Sequence, residues 1–167
     1  MFYPGWLRAL ANGPVTLGRS RRARAPRGTS PLSRSLAIRH VDAGSCNGCE
    51  SELSLMNSAV YDLTRFGITV TPSPRHADLL LITGVVTAAM VPVIRTAYAA
   101  MPEPRRVVAV GACAAGDSPF AGQRGVVLSL DGIVPVDVRV PGCPPDPGAI
   151  LEGILVAMGR SAPEGKP

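Results

Sequence analysis

The chain carries four cysteines, at positions 46, 49, 113 and 143, in the spacing C-x2-C-x63-C-x29-C. The first two lie in Gly44-Ser45-Cys46-Asn47-Gly48-Cys49, a polar, glycine-flanked bend followed by Glu50 and Glu52. A thiol pair at this spacing can close a disulfide, work as a redox dithiol, or supply two ligands to zinc or to an iron–sulfur cluster. Which chemistry applies depends on whether Cys113 and Cys143 come to the same place, and that is decided by the elements around them.

Those elements read as short apolar strands alternating with helical runs. Strands are expected at 36–41, 68–70, 78–83, 106–110 and 136–140, and helical runs at about 50–61, 88–100 and from Pro147 onward. Asp146 suits an N-cap and Pro147 the first helical turn. The alternation predicts an α/β domain with a mainly parallel sheet covered on both faces. In such a sheet the carboxyl ends of the strands share one edge, where ligands bind. Cys46 and Cys49 follow the first strand, Cys113 comes three residues after Val110, and Cys143 three after Val140. The scattered thiols are therefore expected on one rim. Gly44, Gly48, Gly111, Gly116 and Gly142 surround them, and glycine permits close approach of backbone to an inorganic core. Cys49 is expected at a helix start, where N–H groups and the positive dipole end favour thiolate. A [4Fe–4S] cluster fits this pattern best. Zinc follows, because zinc modules usually bring two close pairs and only one is present. A dithiol at Cys46 and Cys49, or four unrelated buried thiols, remain open at this point.

Composition bounds the rest. Hydrophobic residues are 46% and charged residues 17%, a balance that suits buried parallel strands and a surface partly covered in a complex. The net charge of +5 is uneven: seven arginines and no acid precede Ser35, and ten basic against twelve acidic residues follow. This divides the chain into a basic N-terminal arm and linker at 1–34, an α/β domain at 35–160 and a tail at 161–167. The arm reads as a docking segment for an acidic partner or anionic lipid. No basic face interleaved with aromatics points to nucleic acid. No apolar run reaches the length of a membrane span, and the first residues lack the order of a secretory signal. A cytoplasmic protein is expected, in which stable disulfides are disfavoured. His40 and His76 lack ligand spacing and read as ordinary strand and turn residues.

Four motifs in series, DAGSCNGCESEL, LLLITGVVTAAM, VVAVGACAAGDSPF and VPGCPPDPGAILEGI, resemble the small iron–sulfur subunit shared by membrane-bound [NiFe] hydrogenases and respiratory complex I. The resemblance spans about residues 36 to 158. It implies a flavodoxin-like α/β domain with one [4Fe–4S] cluster on Cys46, Cys49, Cys113 and Cys143, and residues 83–87 as a loop beside the cluster. Glu52 matches an acid suspected in proton-coupled chemistry. Electrons would pass between a ferredoxin-like iron–sulfur subunit and a large catalytic subunit, in a complex with membrane subunits that holds the chain at the inner face of the cell membrane. Alone the chain would be inactive. Complex I members carry two adjacent cysteines at the first pair, so Cys46-x2-Cys49 looks like the formate-hydrogenlyase and energy-converting hydrogenase branch. A complex I-type subunit passing electrons to quinone is the alternative. Asp146 stands where complex I members have arginine, and Asp117 where many members have a second glycine.

Overall fold

The structure, a computed structural model, describes residue 32 and residues 35–44, 46–127 and 129–160. Apart from Leu32, the expected arm lies outside the described residues, as does the tail. Five strands form one sheet: β1 (Leu36–Asp42), β2 (Ile68–Val70), β3 (Leu79–Thr83), β4 (Arg106–Val110) and β5 (Val138–Val140). Their order is β2-β1-β3-β4-β5 and every pairing is parallel. This is the flavodoxin-like strand order, with its switch point between β1 and β3.

Side-chain alternation explains the layers. Leu36, Ile38, Leu79, Leu81, Val108, Val110, Val138 and Val140 point to one face. There they pack with helix α1 (Gly48–Leu55) and with a later helix at Pro147–Ala157, labelled α4. Leu80, Ile82, Val107 and Ala109 point to the other face, against Ile94 of α2 (Val91–Ala100) and against Leu130 and Val134. β3, LLLIT, is buried along its whole length, as a central parallel strand covered on both faces must be. Leu32 is also buried, in the cluster that holds Leu36.

Several boundaries shift from the sequence expectation. α1 stops at Leu55, and turns carry the chain on to a 3-10 turn at Leu63–Phe66. α2 begins at Val91 rather than Ala88, because Pro92 is favoured only in the first turn. β5 begins at Val138: Asp137 leaves the strand to accept bonds from the Val107 N–H and the Arg106 guanidinium, both at 2.8 Å. Cys113 lies not on an open loop but in a single helical segment, α3 (Gly111–Ala115), which starts directly where β4 ends. The N-cap of α4 is as expected, with Asp146 Oδ1 accepting from the Ala149 N–H at 2.9 Å.

Candidate functional site

The register brings the strand ends level. Asp42 pairs with Thr83, Thr83 with Val110, and Val110 with Val140. Every cysteine-bearing segment therefore leaves the sheet from one row. Cys46 and Cys49 come from β1 and the start of α1, Cys113 from α3, and Cys143 from the turn after β5.

Contacts between these segments draw them together. The Ala112 N–H donates to Gly142 O at 2.7 Å, tying α3 to the turn after β5. A Cβ placed on Gly48 would lie 3.6 Å from Cys46 Sγ and 3.8 Å from Pro144, so the first cysteine bend packs on the residue after Cys143. A Cβ on Gly111 would lie 2.6 Å from Cys49 Sγ and 3.6 Å from Gly142 O. Gly111 also has φ of +88°, a conformation that favours glycine. Between β1 and β3 the Ala43 N–H donates to Thr83 O, and Thr87 bonds Ala43 O through both its backbone N–H and its hydroxyl.

Cys49 and Cys113 are buried, while Cys46 and Cys143 are exposed. Burial pushes the Cys49 thiol up to about 11, helped by the charges of Glu50, Cys113 and Cys46; a bond from the Gly84 backbone acts the other way. Cys143 is also raised, by burial and then by Cys113 and Cys46. Cys46 and Cys113 thus lie near enough for a charge on either to be felt at both Cys49 and Cys143. The two raised thiols hold their protons at neutral pH, and coordination to a metal would deprotonate them. Ser118 Oγ donates to Cys113 Sγ at 3.4 Å. Among the described residues, no three His, Cys, Asp or Glu gather closely enough to hold a single metal ion.

Sequence reasoning passed over a polar group beside this rim. His40 alternates with Leu36 and Ile38, and so points into the face that α1 covers. Its Nε2 shares a 2.8 Å hydrogen bond with Thr83 Oγ1 and stands 4.0 Å from Glu50 Oε1. Thr83 is fully buried. The signal was there: a polar residue at an inward position of an otherwise apolar strand. Glu52 lies half-buried on α1, whereas Glu50 is the acid whose charge reaches Cys49 and His40. His76 is exposed in a 3-10 turn at Pro74–His76, away from the rim.

A flavodoxin-ordered parallel sheet with four cysteines on its carboxyl rim defines a class: α/β domains with a cysteine-lined site at the sheet edge. The chain belongs to the family described as NADH ubiquinone oxidoreductase, 20 kDa subunit, whose model matches residues 46–157. It is 45% identical, over 78% of each chain, to a Pyrococcus furiosus protein described as a probable membrane-bound hydrogenase subunit. To formate hydrogenlyase subunit 7 of Escherichia coli it is 43% identical, over 89% of this chain and 60% of that protein. Among solved structures it resembles a chain of an archaeal membrane-bound sulfane sulfur reductase. That match has a TM-score of 0.66 and 38% identity, covering 75% of this chain and 70% of the other. A chain of an NAD+-reducing [NiFe]-hydrogenase, at 24% identity, a TM-score of 0.59 and coverage of 80% and 96%, shares the fold. Two of these, the hydrogenase subunit and the sulfane sulfur reductase chain, are described as membrane-bound. Among the described residues, no helix is long and apolar enough to cross a membrane.

Proposed function

We propose that this chain is a non-autonomous electron-transfer subunit. It holds one [4Fe–4S] cluster through Cys46, Cys49, Cys113 and Cys143. It relays single electrons between a ferredoxin-like iron–sulfur subunit and a large catalytic subunit in a membrane-attached complex of hydrogenase or formate-hydrogenlyase type. The observation that carries the reading is the placement of four cysteines, from three separate segments, along one level strand edge. The sequence spacing supports a cluster over zinc, because zinc modules usually bring two close cysteine pairs and only Cys46 and Cys49 form one here.

When bound, the cluster supplies a one-electron couple. The chain's own residues do the rest. The Gly84 backbone bond to Cys49 and the Ser118 hydroxyl on Cys113 stabilise charge on those sulfurs and so help set the potential. Gly111 leaves the space that the Cys49 sulfur occupies. Cys46 and Cys143 form the exposed side, so a partner that covers them comes within short range of the site. Glu52 is assigned a proton-handling part there on the family resemblance. The complex holds the chain at the inner face of the membrane.

A second reading, electron delivery to quinone, is favoured by the family's description. The Cys46-x2-Cys49 pair supports the hydrogenase branch instead. Anaerobic purification of the native complex tests the primary claim. About four iron and four sulfide per chain, with an EPR signal on reduction, are expected. Stoichiometric zinc without iron overturns it. A co-purifying large subunit that carries nickel supports the hydrogenase reading, and one that lacks nickel refutes it.

A further inference from the structure

On the sheet face opposite α1 and α4, the cover is one helix short. Parallel strands are ordinarily joined by a crossover of about a dozen residues or more, most often a helix that lies on the sheet. Here residues 71–78 alone join β2 to β3, and they hold only the 3-10 turn Pro74–His76. They cross β1 near its start: the Thr71 N–H donates to Ile38 O and the Asp78 N–H to Ala37 O, both at 2.8 Å. Over the upper half of β1 the described residues leave instead a groove of about 630 Å³, walled on one side by α2. Val41, Pro74, Met90, Val93, Ala97 and Ala100 line it, with Arg39 among them.

We propose that this groove seats an apolar helix of a partner subunit, and that the helix carries an aspartate or glutamate that pairs with Arg39. The proposal rests on the reading of this chain as one subunit of a complex; it does not need the cluster.

Three observations support it. First, α2 is apolar on two sides. Val91, Ile94 and Tyr98 pack into the core, while Pro92, Val93, Thr96 and Ala100 line the groove. The one charged residue of α2, Arg95, reaches to Gly132 O at 3.3 Å. A helix without a charged face is normally covered all round, yet Pro92 and Thr96 are exposed and Val93 is 48% exposed. Second, the shape suits a helix better than a small molecule. A small-molecule pocket encloses most of its ligand. This is a trough whose α2 wall stands open to solvent, a form that takes one side of an apolar helix. Third, charge selects the occupant. Arg39 is half-buried, and among the described residues no ion pair holds its guanidinium. Asp42, the acid of the groove, accepts from the Gly44 N–H within its own turn. A cation set against an apolar wall calls for a carboxylate opposite. The arm cannot supply one, because residues 1–34 hold seven arginines and no acid. The tail at 161–167 has Glu164 but too few apolar side chains to fill the groove. A second copy that inserted its own α2 would bring Arg95 and no acid.

The test is photo-crosslinking in the intact complex. The photo-reactive residue p-benzoyl-phenylalanine is placed at Val93 or at Thr96, both exposed on α2, and mass spectrometry identifies the captured peptide. An apolar stretch of a partner subunit is expected, with an aspartate or glutamate within about one helical turn of the captured residue. Capture of residues 1–31 of the same chain, or of a second copy, overturns the proposal. So does the lack of any capture from a complex that purifies whole. Charge reversal then tests the ion pair. Arg39→Glu is expected to lower recovery of that partner about tenfold or more, because it sets like charges face to face. Replacing the captured acid by lysine is expected to restore recovery. Iron per chain equal to wild type shows that the Arg39→Glu domain is folded; where iron falls, Arg39→Gln takes its place in the same assay. Undiminished recovery, or a loss that the lysine does not rescue, overturns the proposal. A complex that assembles and cross-links but holds no iron overturns the cluster reading and supports this one. A chain that purifies without any partner overturns both.

Discussion

Gly111→Ala tests the rim where its tolerance is smallest. The substitution makes two separate changes. At φ of +88° an alanine costs ~1–2 kcal/mol in backbone strain. Its Cβ would also lie 2.6 Å from Cys49 Sγ, and ordinary contact starts at 3.4 Å, so the sulfur must retreat by about 0.8 Å. Overpacking of this kind costs a further ~1–3 kcal/mol. The total, about 2–5 kcal/mol, is less than most of the usual 5–15 kcal/mol range of domain stability, so the variant is expected to fold. A displacement of 0.8 Å exceeds the roughly 0.5 Å within which a binding constellation must be held. Loss of iron is therefore expected to exceed loss of stability. Gly122→Ala is the control. Its φ is +84°, and nothing lies within 4 Å of the added carbon, so it pays only the backbone cost. Urea melts of both variants, read beside iron per chain, separate the two effects. Gly111→Ala should be ~1–3 kcal/mol less stable than the control and poor in iron, while the control should load normally. Equal iron in the two variants would show that Cys49 is not a ligand held at this position.

Other consequences follow from the same contacts. Asp146→Ala removes the side-chain cap of α4 just after Cys143 and is expected to cost about 1 kcal/mol in a thermal or urea melt. Ser118→Ala removes a weak 3.4 Å bond to Cys113, worth ~0.5–1 kcal/mol. A potential lower by roughly 20–45 mV is expected in redox titration, with iron content unchanged. In metal-free protein, Cys49 and Cys143 have raised pKa values and so hold their protons in the folded state after the unfolded chain has begun to lose them. Stability is then full below about pH 9 and falls as pH rises toward 11. A urea midpoint that rose over that interval would contradict this. Thiol labelling of the same metal-free protein near neutral pH is expected to reach the exposed Cys46 before the buried Cys49.

The frame of the domain could be read in the sequence because short continuous apolar runs bounded by turn residues mark strands buried on both faces. Residues 79–83 and 106–110 needed no tertiary information, and turn chemistry at Asp146-Pro147 marked the start of α4 to the residue. Boundaries that depend on partners were harder to read. Residues 136 and 137 look like strand, but Asp137 is drawn out to bond Arg106 and Val107, a contact 30 residues away. The helix expected through Tyr61 ends at Leu55, where turn hydrogen bonds from Met56, Asn57 and Ser58 take over. The cysteine rim was legible because parallel strands have a direction: any thiol a few residues past a strand's carboxyl end must lie on the same edge.

His40 was harder to see, for a physical reason. Its significance lies in what stands opposite: Thr83 is 43 residues away, on a different strand, and Glu50 lies beyond the first cysteine bend. Periodicity does mark its side chain as inward-facing. An inward polar residue on a covered sheet costs free energy unless something bonds it, so its presence already demands a partner. Thr83 alone would meet that demand. Glu50, whose side chain is only 16% exposed and 4.0 Å from the imidazole, also raises the Cys49 thiol through its charge. In metal-free protein Glu50→Gln is therefore expected to lower the pH at which Cys49 reacts with a thiol label, with the fold retained. A labelling profile unchanged from wild type would show that the carboxylate charge does not reach that sulfur.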